Sequence, residues 1–236
     1  MYVIVRSYKE LRRFVQFGDR ATDSVHQWLH DIKDCEVYFD AGPANGLEGF
    51  LVHHLHKCKV VFIEPSTFSV ETILKTIHTQ ATRSGIDRER FEIVHAGCSD
   101  AESYARAYYH EMPKPGATYV SFSDRGDYCR GGRMDAPIYG TQWIKGVSLD
   151  SLVYNYNFPA PTHVKIDIDG FENKALRGAK RLLDSGSVKS WAIEVTGEDN
   201  IVEIGDTMKR HGYREIAREE HYPGYQPRTF DFIYAR

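Results

Sequence analysis

Two runs in this chain combine residue types and spacing that could do chemistry. The first is Asp40-Ala41-Gly42-Pro43-Ala44-Asn45-Gly46, placed between an apolar run (Val37, Tyr38, Phe39) and an apolar-periodic segment from Leu47 to Leu55. A strand that turns into a helix through glycines lets a ligand approach backbone N–H groups, because no Cβ stands in the way. The spacing is Gly-x-x-x-Gly, with Ala44 at the middle position, so it does not fit the dinucleotide fingerprint GxGxxG. Asp40 at the strand end would repel a pyrophosphate at short range. A cationic or hydroxyl-rich ligand fits better, and S-adenosylmethionine has an ammonium, a sulfonium and no phosphate. The next apolar run ends in Phe62-Ile63-Glu64-Pro65-Ser66. An acid roughly 20 residues beyond a glycine loop is placed to accept hydrogen bonds from ribose hydroxyls.

The second run is Lys165-Ile166-Asp167-Ile168-Asp169-Gly170-Phe171-Glu172. Asp167 and Asp169 are two apart and point the same way if the strand continues through them. A carboxylate there could hold a substrate hydroxyl and take its proton, which an alcohol needs because it is a poor nucleophile at neutral pH. The bland alternative is structural: Asp169 caps the following helix and Glu172 lies in its first turn. Three acids could also hold a divalent cation, but no diagnostic ligand set accompanies them, and no metal is expected. His53, His54 and His56 read as surface or packing residues, since His54 and His56 cannot share a helix face.

These residues need elements to hold them. Glu36–Ala41, Lys59–Glu64, Phe91–Ala96, His163–Asp167, Ser190–Val195, Tyr213–Ala217 and Thr229–Tyr234 read as strands. Leu47–Leu55, Ser66–Thr82, Phe171–Leu183 and Ile201–His211 read as helices, with Ser66 or Thr67 as a cap. Strands alternating with helices predict an α/β fold: a doubly wound, mostly parallel seven-stranded sheet with helices on both faces. The last two runs are joined by His221–Pro227 without helical periodicity, which predicts an antiparallel edge hairpin. Residues 1–34 read as an N-terminal helical segment, a cover for the core or a lid; Leu11, Phe14 and Val15, then Val25, Trp28 and Leu29, recur at helical spacing. Residues 35–236 form the main domain. Residues 101–147, rich in Pro and Gly, read as a long irregular insertion of the kind that carries function. Arg125, Arg130 and Arg133 within it could grip an anionic or sugar-like substrate, or simply be solvated. The insertion ends at Ser148, which reads as the cap of a short helix.

The chain has 236 residues, 30 Lys+Arg against 33 Asp+Glu, and a net charge of −3. That balance argues against a strongly basic nucleic-acid binder. No apolar run approaches the ~18–20 residues of a membrane span, and no leader pattern opens the chain. The four cysteines form no CxxC pair, so thiols in a reducing, cytoplasmic setting are expected.

Together these motifs resemble the FkbM-type methyltransferases, within the class I S-adenosylmethionine-dependent enzymes. The resemblance rests on Asp40–Gly46, on Glu64-Pro65, on the Lys165–Glu172 run with Leu176-Arg177-Gly178-Ala179 after it, on Ser148-Leu149-Asp150-Ser151-Leu152, and on Trp191–Val195 ending near Glu194. It covers residues ~36–235 except 101–147. It implies S-adenosylmethionine as cofactor, held by Asp40, Gly42, Ala44, Asn45, Gly46, Glu64, Pro65 and Ser66, with adenine beside Cys98, Ser99 and Asp100. The methyl group would face Asp167 and Asp169, with Asp167 nearest. The implied reaction is O-methylation of a hydroxyl on a sugar, glycan or secondary metabolite, with a small-molecule or glycan partner and neither nucleic acid nor membrane. A dinucleotide oxidoreductase or a non-catalytic cofactor-binding domain are the competing readings.

Overall fold

A computed structural model describes residues 23–109, 120–122, 140–221, 223–224 and 227–236. In chain order the elements are α1 (Asp23–Asp31), β1 (Val37–Ala41), α2 (Leu47–His56), β2 (Lys59–Ile63), α3 (Thr67–Ser84), β3 (Phe91–Val94), β4 (Gly97–Cys98), β5 (Ser103–Tyr109) and β6 (Val120–Phe122). Then come β7 (Gly140–Val147), α4 (Leu149–Tyr154), β8 (His163–Ile166), α5 (Glu172–Arg177), α6 (Lys180–Ser185), β9 (Ser190–Thr196), α7 (Glu198–Arg210), β10 (Arg214–His221) and β11 (Thr229–Ala235).

All seven expected strands lie in one sheet, ordered β10-β11-β9-β8-β1-β2-β3. β1, β2, β3, β8 and β9 pair in parallel, and β11 pairs antiparallel with both β9 and β10. The expected hairpin is present, but its second strand lies inside the sheet and β10 forms the edge.

Every residue of β1 is buried, because both faces of the sheet are covered. Phe39 and Ala41 face one core with Leu149, Leu152, Leu176, Leu182, Ile204 and Met208 from α4–α7. Tyr38 faces the other, with Trp28, Leu29, Phe50, Leu51, Ile73 and Ile77 from α1–α3. The 3.6-residue spacing of Val25, Trp28 and Leu29 thus docks α1 as expected. Trp28 Nε1 donates to Ser190 Oγ at 2.8 Å, and Ser190 Oγ is 2.7 Å from His163 Nδ1. Burial holds His163 down at about 4, so this anchor works with a neutral ring. The part of the N-terminal segment before Asp23 lies outside the described residues. Among the described residues, no helix is long and apolar enough to cross a membrane.

Two expectations need correction. The stretch 101–147 is not wholly irregular: β5 and β7 pair antiparallel over seven residue pairs, and with β4 and β6 they make a second sheet. Ala105, Ala107 and Ile144 face inward, whereas Tyr104, Arg106, Trp143 and Lys145 face out. The three arginines of the Gly-rich segment lie outside the described residues. The helix expected over Phe171–Leu183 is two helices. At the break, a Cβ on Gly178 would lie 2.2 Å from the Ser99 carbonyl oxygen, and the Gly178 carbonyl accepts from Asp150 N–H. Asp150 in turn accepts from the Arg181 and Leu182 N–H groups, giving α6 a start of its own. Ser148 caps α4 as expected, in a reciprocal capping box with Ser151.

Candidate active site

The glycine loop leaves β1 and turns sharply. Gly42 (φ 78°), Ala44 (φ 51°) and Gly46 (φ 80°) are all left-handed, and Gly46 N–H donates to the Pro43 carbonyl at 2.7 Å. Asn45 is buried, and its Oδ1 accepts from Leu47 N–H at 3.2 Å. It starts α2 rather than reaching outward. Gly42 has the tightest constraint: a Cβ there would sit 1.8 Å from the Asp167 carbonyl oxygen. This contact joins the two motifs of the sequence, 125 residues apart in the chain, at the carboxyl ends of adjacent parallel strands. In open α/β sheets ligands bind at that edge.

Glu64 lies against the same loop. Its carboxylate accepts from Ser66 N–H at 2.7 Å and also from the Ala44 N–H. Burial pushes it up to about 8, although those two N–H groups favour the charged form. A buried acid of this kind gains from any ligand that donates hydrogen bonds to it. Ser66 caps α3 through its hydroxyl, and the Pro65 carbonyl lies 3.1 Å from His95 Nε2.

Asp40 is fully buried beneath the loop. It lies 3.7 Å from Lys165 Nζ, which also donates to Asp167 Oδ2 at 3.2 Å. Burial raises Asp40 to about 7, against the pull of Lys165. Burial also works against the Lys165 ammonium, but Asp167, Asp40 and Glu48 outweigh it and hold the lysine above its ordinary range. Asp40 is thus the enclosed member of this network, and Asp167, with a third of its side chain exposed, is the member that reaches solvent.

Asp167 and Asp169 do not share a strand. β8 ends at Ile166, and the backbone turns through Asp169 (φ 54°) and Gly170 (φ 101°). Asp169 also does not cap the helix: the residue before α5 is Phe171, which makes no side-chain cap bond. Glu172 lies in the first turn of α5 as expected, and there it is a pin, accepting from the N–H groups of Ile168 (3.2 Å) and Gly170 (3.0 Å). Burial raises it to about 7. The turn it fixes brings Asp169 near enough for its charge to raise Glu64.

The three residues after the third strand are less central. Cys98 is buried in the core and burial pushes its thiol up to about 12, which suits an inert thiol. Ser99 N–H donates to the Val147 carbonyl, and Asp100 pairs with Arg177 at 3.8 Å. These contacts tie Ser99 to the end of β7 and Asp100 to α5. His95, beside Pro65, and Tyr109, whose phenol is raised by burial and then by the charge of Glu64, adjoin the Glu64 side of the loop, and no motif in the sequence marks them. Tyr109 donates to Gln142 Oε1 at 2.7 Å, so β5 and β7 bring their far ends over the Glu64 side. Of the three neighbouring histidines, His53 and His56 bind the Cys58 and Leu29 carbonyls, as packing residues do.

The acceptor groups fit S-adenosylmethionine. Carboxylates surround the loop at Asp40, Glu64, Asp167 and Asp169, which matches a sulfonium, an ammonium and ribose hydroxyls and opposes phosphates. Sheet order, glycine loop and the acid after β2 define a class I methyltransferase fold. Residues 40–215 match the methyltransferase FkbM domain, and the chain belongs to that family of S-adenosylmethionine-dependent enzymes. No curated protein sequence matches it. Among solved structures, methyltransferase FkbM from Methylobacillus flagellatus is similar with TM-score 0.59 and 16% identity, over 96% of this chain and 50% of that one. The chain thus spans half the length of that protein. SMU.1697c, a Streptococcus mutans putative methyltransferase solved with S-adenosylhomocysteine, gives 0.54 and 11%, over 93% of this chain and 100% of that one. TrmK from M. capricolum, also with S-adenosylhomocysteine, gives 0.54 and 9%, over 92% and 69%. At these identities the structures speak for the fold alone.

Proposed function

We propose that the protein transfers the methyl group of S-adenosylmethionine to a hydroxyl of a small molecule or glycan, with Asp167 as the proton acceptor. The observation that carries this is the contact of Gly42 with the Asp167 backbone, which sets a partly exposed carboxylate beside the cofactor loop. The cofactor supplies an electrophilic methyl on a positive sulfur. The chain supplies positions and a base. Gly42–Gly46 present backbone to the cofactor, Glu64 accepts from its ribose, and Pro65 and Ser66 shape the adjoining wall. Asp167 would take the proton of the acceptor hydroxyl as its oxygen bonds to the methyl carbon and the methyl–sulfur bond breaks, leaving S-adenosylhomocysteine, while Lys165 fixes the direction of the carboxylate. Asp169, set by the Glu172 pin, orients the acceptor.

Cytoplasmic residence and a single domain over 35–236 belong to the same proposal. The near-neutral charge does not decide against a nucleic-acid acceptor, because an rRNA methylase from Streptococcus thermophilus shares the fold (TM-score 0.53, 12% identity, covering 93% of this chain and 98% of that one). Incubation with methyl-labelled S-adenosylmethionine and fractionated small-molecule, glycan and RNA pools tests the reading. Label in the glycan or small-molecule pool, stable to mild base as an ether is, is expected. Label confined to RNA, or none in any pool despite cofactor binding, would overturn it.

A further inference from the structure

A second group of chemistry-bearing side chains lies along the same sheet edge, away from the glycine loop. Glu194 of β9 and Asp231 of β11 are directly paired across the antiparallel ladder, so both side chains leave the sheet on one face. His221 closes β10 opposite Thr229, two residues from Asp231, and its ring lies between the two acids. Its Nδ1 is 3.2 Å from Glu194 Oε1 and its Nε2 is 2.7 Å from Asp231 Oδ2. Both acids are buried and the histidine is nearly so. One donor atom from each residue lies within 4.8 Å of the others. Lys165 pairs with Ala192 and Ile166 with Ile193, so the next positions along these strands are Asp167 and Glu194. The trio therefore continues the row of Asp167 across the sheet, on the side away from Glu64.

We propose that Glu194, His221 and Asp231 form a binding site for a divalent transition-metal ion of the Mn2+ or Zn2+ class. This goes beyond the methyl-transfer reading and does not depend on it. Two carboxylate oxygens and one imidazole nitrogen suit these borderline ions, whereas Mg2+ and Ca2+ favour oxygen alone. Donors at about 2.0–2.2 Å from an ion stand roughly 3–4 Å from each other; the ring now offers a different nitrogen to each acid, so an ion would displace a bridging proton and His221 would turn one nitrogen toward it. The paired strands hold the two acids in register. His221, at the end of the edge strand, is the member that can turn one ring nitrogen toward both. Three protein ligands leave further coordination positions for water or a substrate oxygen.

The test uses the full chain stripped with chelator and titrated with MnCl2 and, separately, ZnCl2. Calorimetry should show one saturable site, and Asp231→Asn and His221→Gln should each weaken it at least tenfold. S-adenosylhomocysteine affinity and the circular-dichroism spectrum report whether the variants fold. Pulsed electron paramagnetic resonance of Mn2+ on the unmodified chain is the check that needs no variant, and it should show coupling to one imidazole nitrogen. No saturable binding below millimolar metal, binding undiminished in folded variants, or bound Mn2+ without imidazole coupling would each overturn the site.

Discussion

Substitution of Glu64 by glutamine separates a ribose-binding acid from one that merely braces the glycine loop. The residue is 5% exposed and burial raises its carboxyl to about 8. Relative to the ordinary glutamate value of 4.5, ionising it in the free protein costs about 5 kcal/mol. The sign is the less common one for an acid: its contribution to stability is full at low pH and is lost as pH rises from the glutamate range through about 8. Hydroxyls that donate to the carboxylate recover part of that cost. A hydrogen bond to a charged group contributes about 1.5–3 kcal/mol, so Glu64→Gln should weaken S-adenosylhomocysteine about 10- to 150-fold. If only the carboxylate binds, the dissociation constant should tighten about 50-fold between pH 6 and 8, because the ionised fraction grows nearly tenfold per unit below the pKa. The ligand's own amine titrates equally against both proteins, so the difference between their profiles belongs to Glu64. Isothermal titration across that range reads both effects. Equal affinities, or profiles that run parallel, would refute the reasoning.

Further outcomes follow from the same network. Gly42→Ala would press a methyl group into the Asp167 carbonyl and should cost about 2–4 kcal/mol in urea unfolding with loss of cofactor binding. Gly85→Ala, at φ 65° with open space around it, should cost only about 1 kcal/mol in the same assay. Lys165→Met leaves Asp40 buried beside no ammonium and should destabilise by about 3–5 kcal/mol. That deficit should shrink from pH 8 to pH 6, where Asp40 takes up its proton, and denaturation at the two pH values checks it. Asp167→Asn should lower the methyl-transfer rate about 10²–10⁴-fold and leave S-adenosylhomocysteine affinity within a factor of two or three; equal loss of both would make Asp167 a binding residue.

The strands and the glycine loop were legible because their signals are local. Buried parallel strands such as Val37–Ala41 are apolar throughout, and the helices between them show 3.6-residue spacing. What escaped depends on contacts across the chain. β5 reads Ser-Tyr-Ala-Arg-Ala-Tyr-Tyr, and its inward face is alanine at 105 and 107, too small to signal burial until Ile144 is paired against it. The break at Gly178 exists because Ser99, some 80 residues earlier, packs there. Glu194, His221 and Asp231 meet only after β11 inserts between β9 and β10, and no spacing in the chain announces that.

The roles of the acids turned on the same limit. Residue type and proximity mark Asp40, Glu64, Asp167, Asp169 and Glu172 alike, yet burial divides them by task. Asp40 and Glu172 are enclosed and hold backbone or lysine, so neither can meet an acceptor hydroxyl. Glu64 is enclosed but lies against the glycine loop, which suits a ligand that fills the cleft above it. Asp167 is the more open of the Lys165 partners. Asp169 is turned away from the line of β8 by a left-handed residue that Glu172 secures. In the proposed reaction a base must reach both substrate and methyl donor, and Asp167, the more open acid, is the one we propose, with Asp169 as its companion. Releasing the pin tests the division directly. Glu172→Leu keeps much of the bulk but removes the single oxygen that accepts both N–H groups, so it should raise the acceptor KM while leaving cofactor affinity intact. A fall in cofactor affinity alone would place the 168–172 turn on the cofactor's side of the cleft.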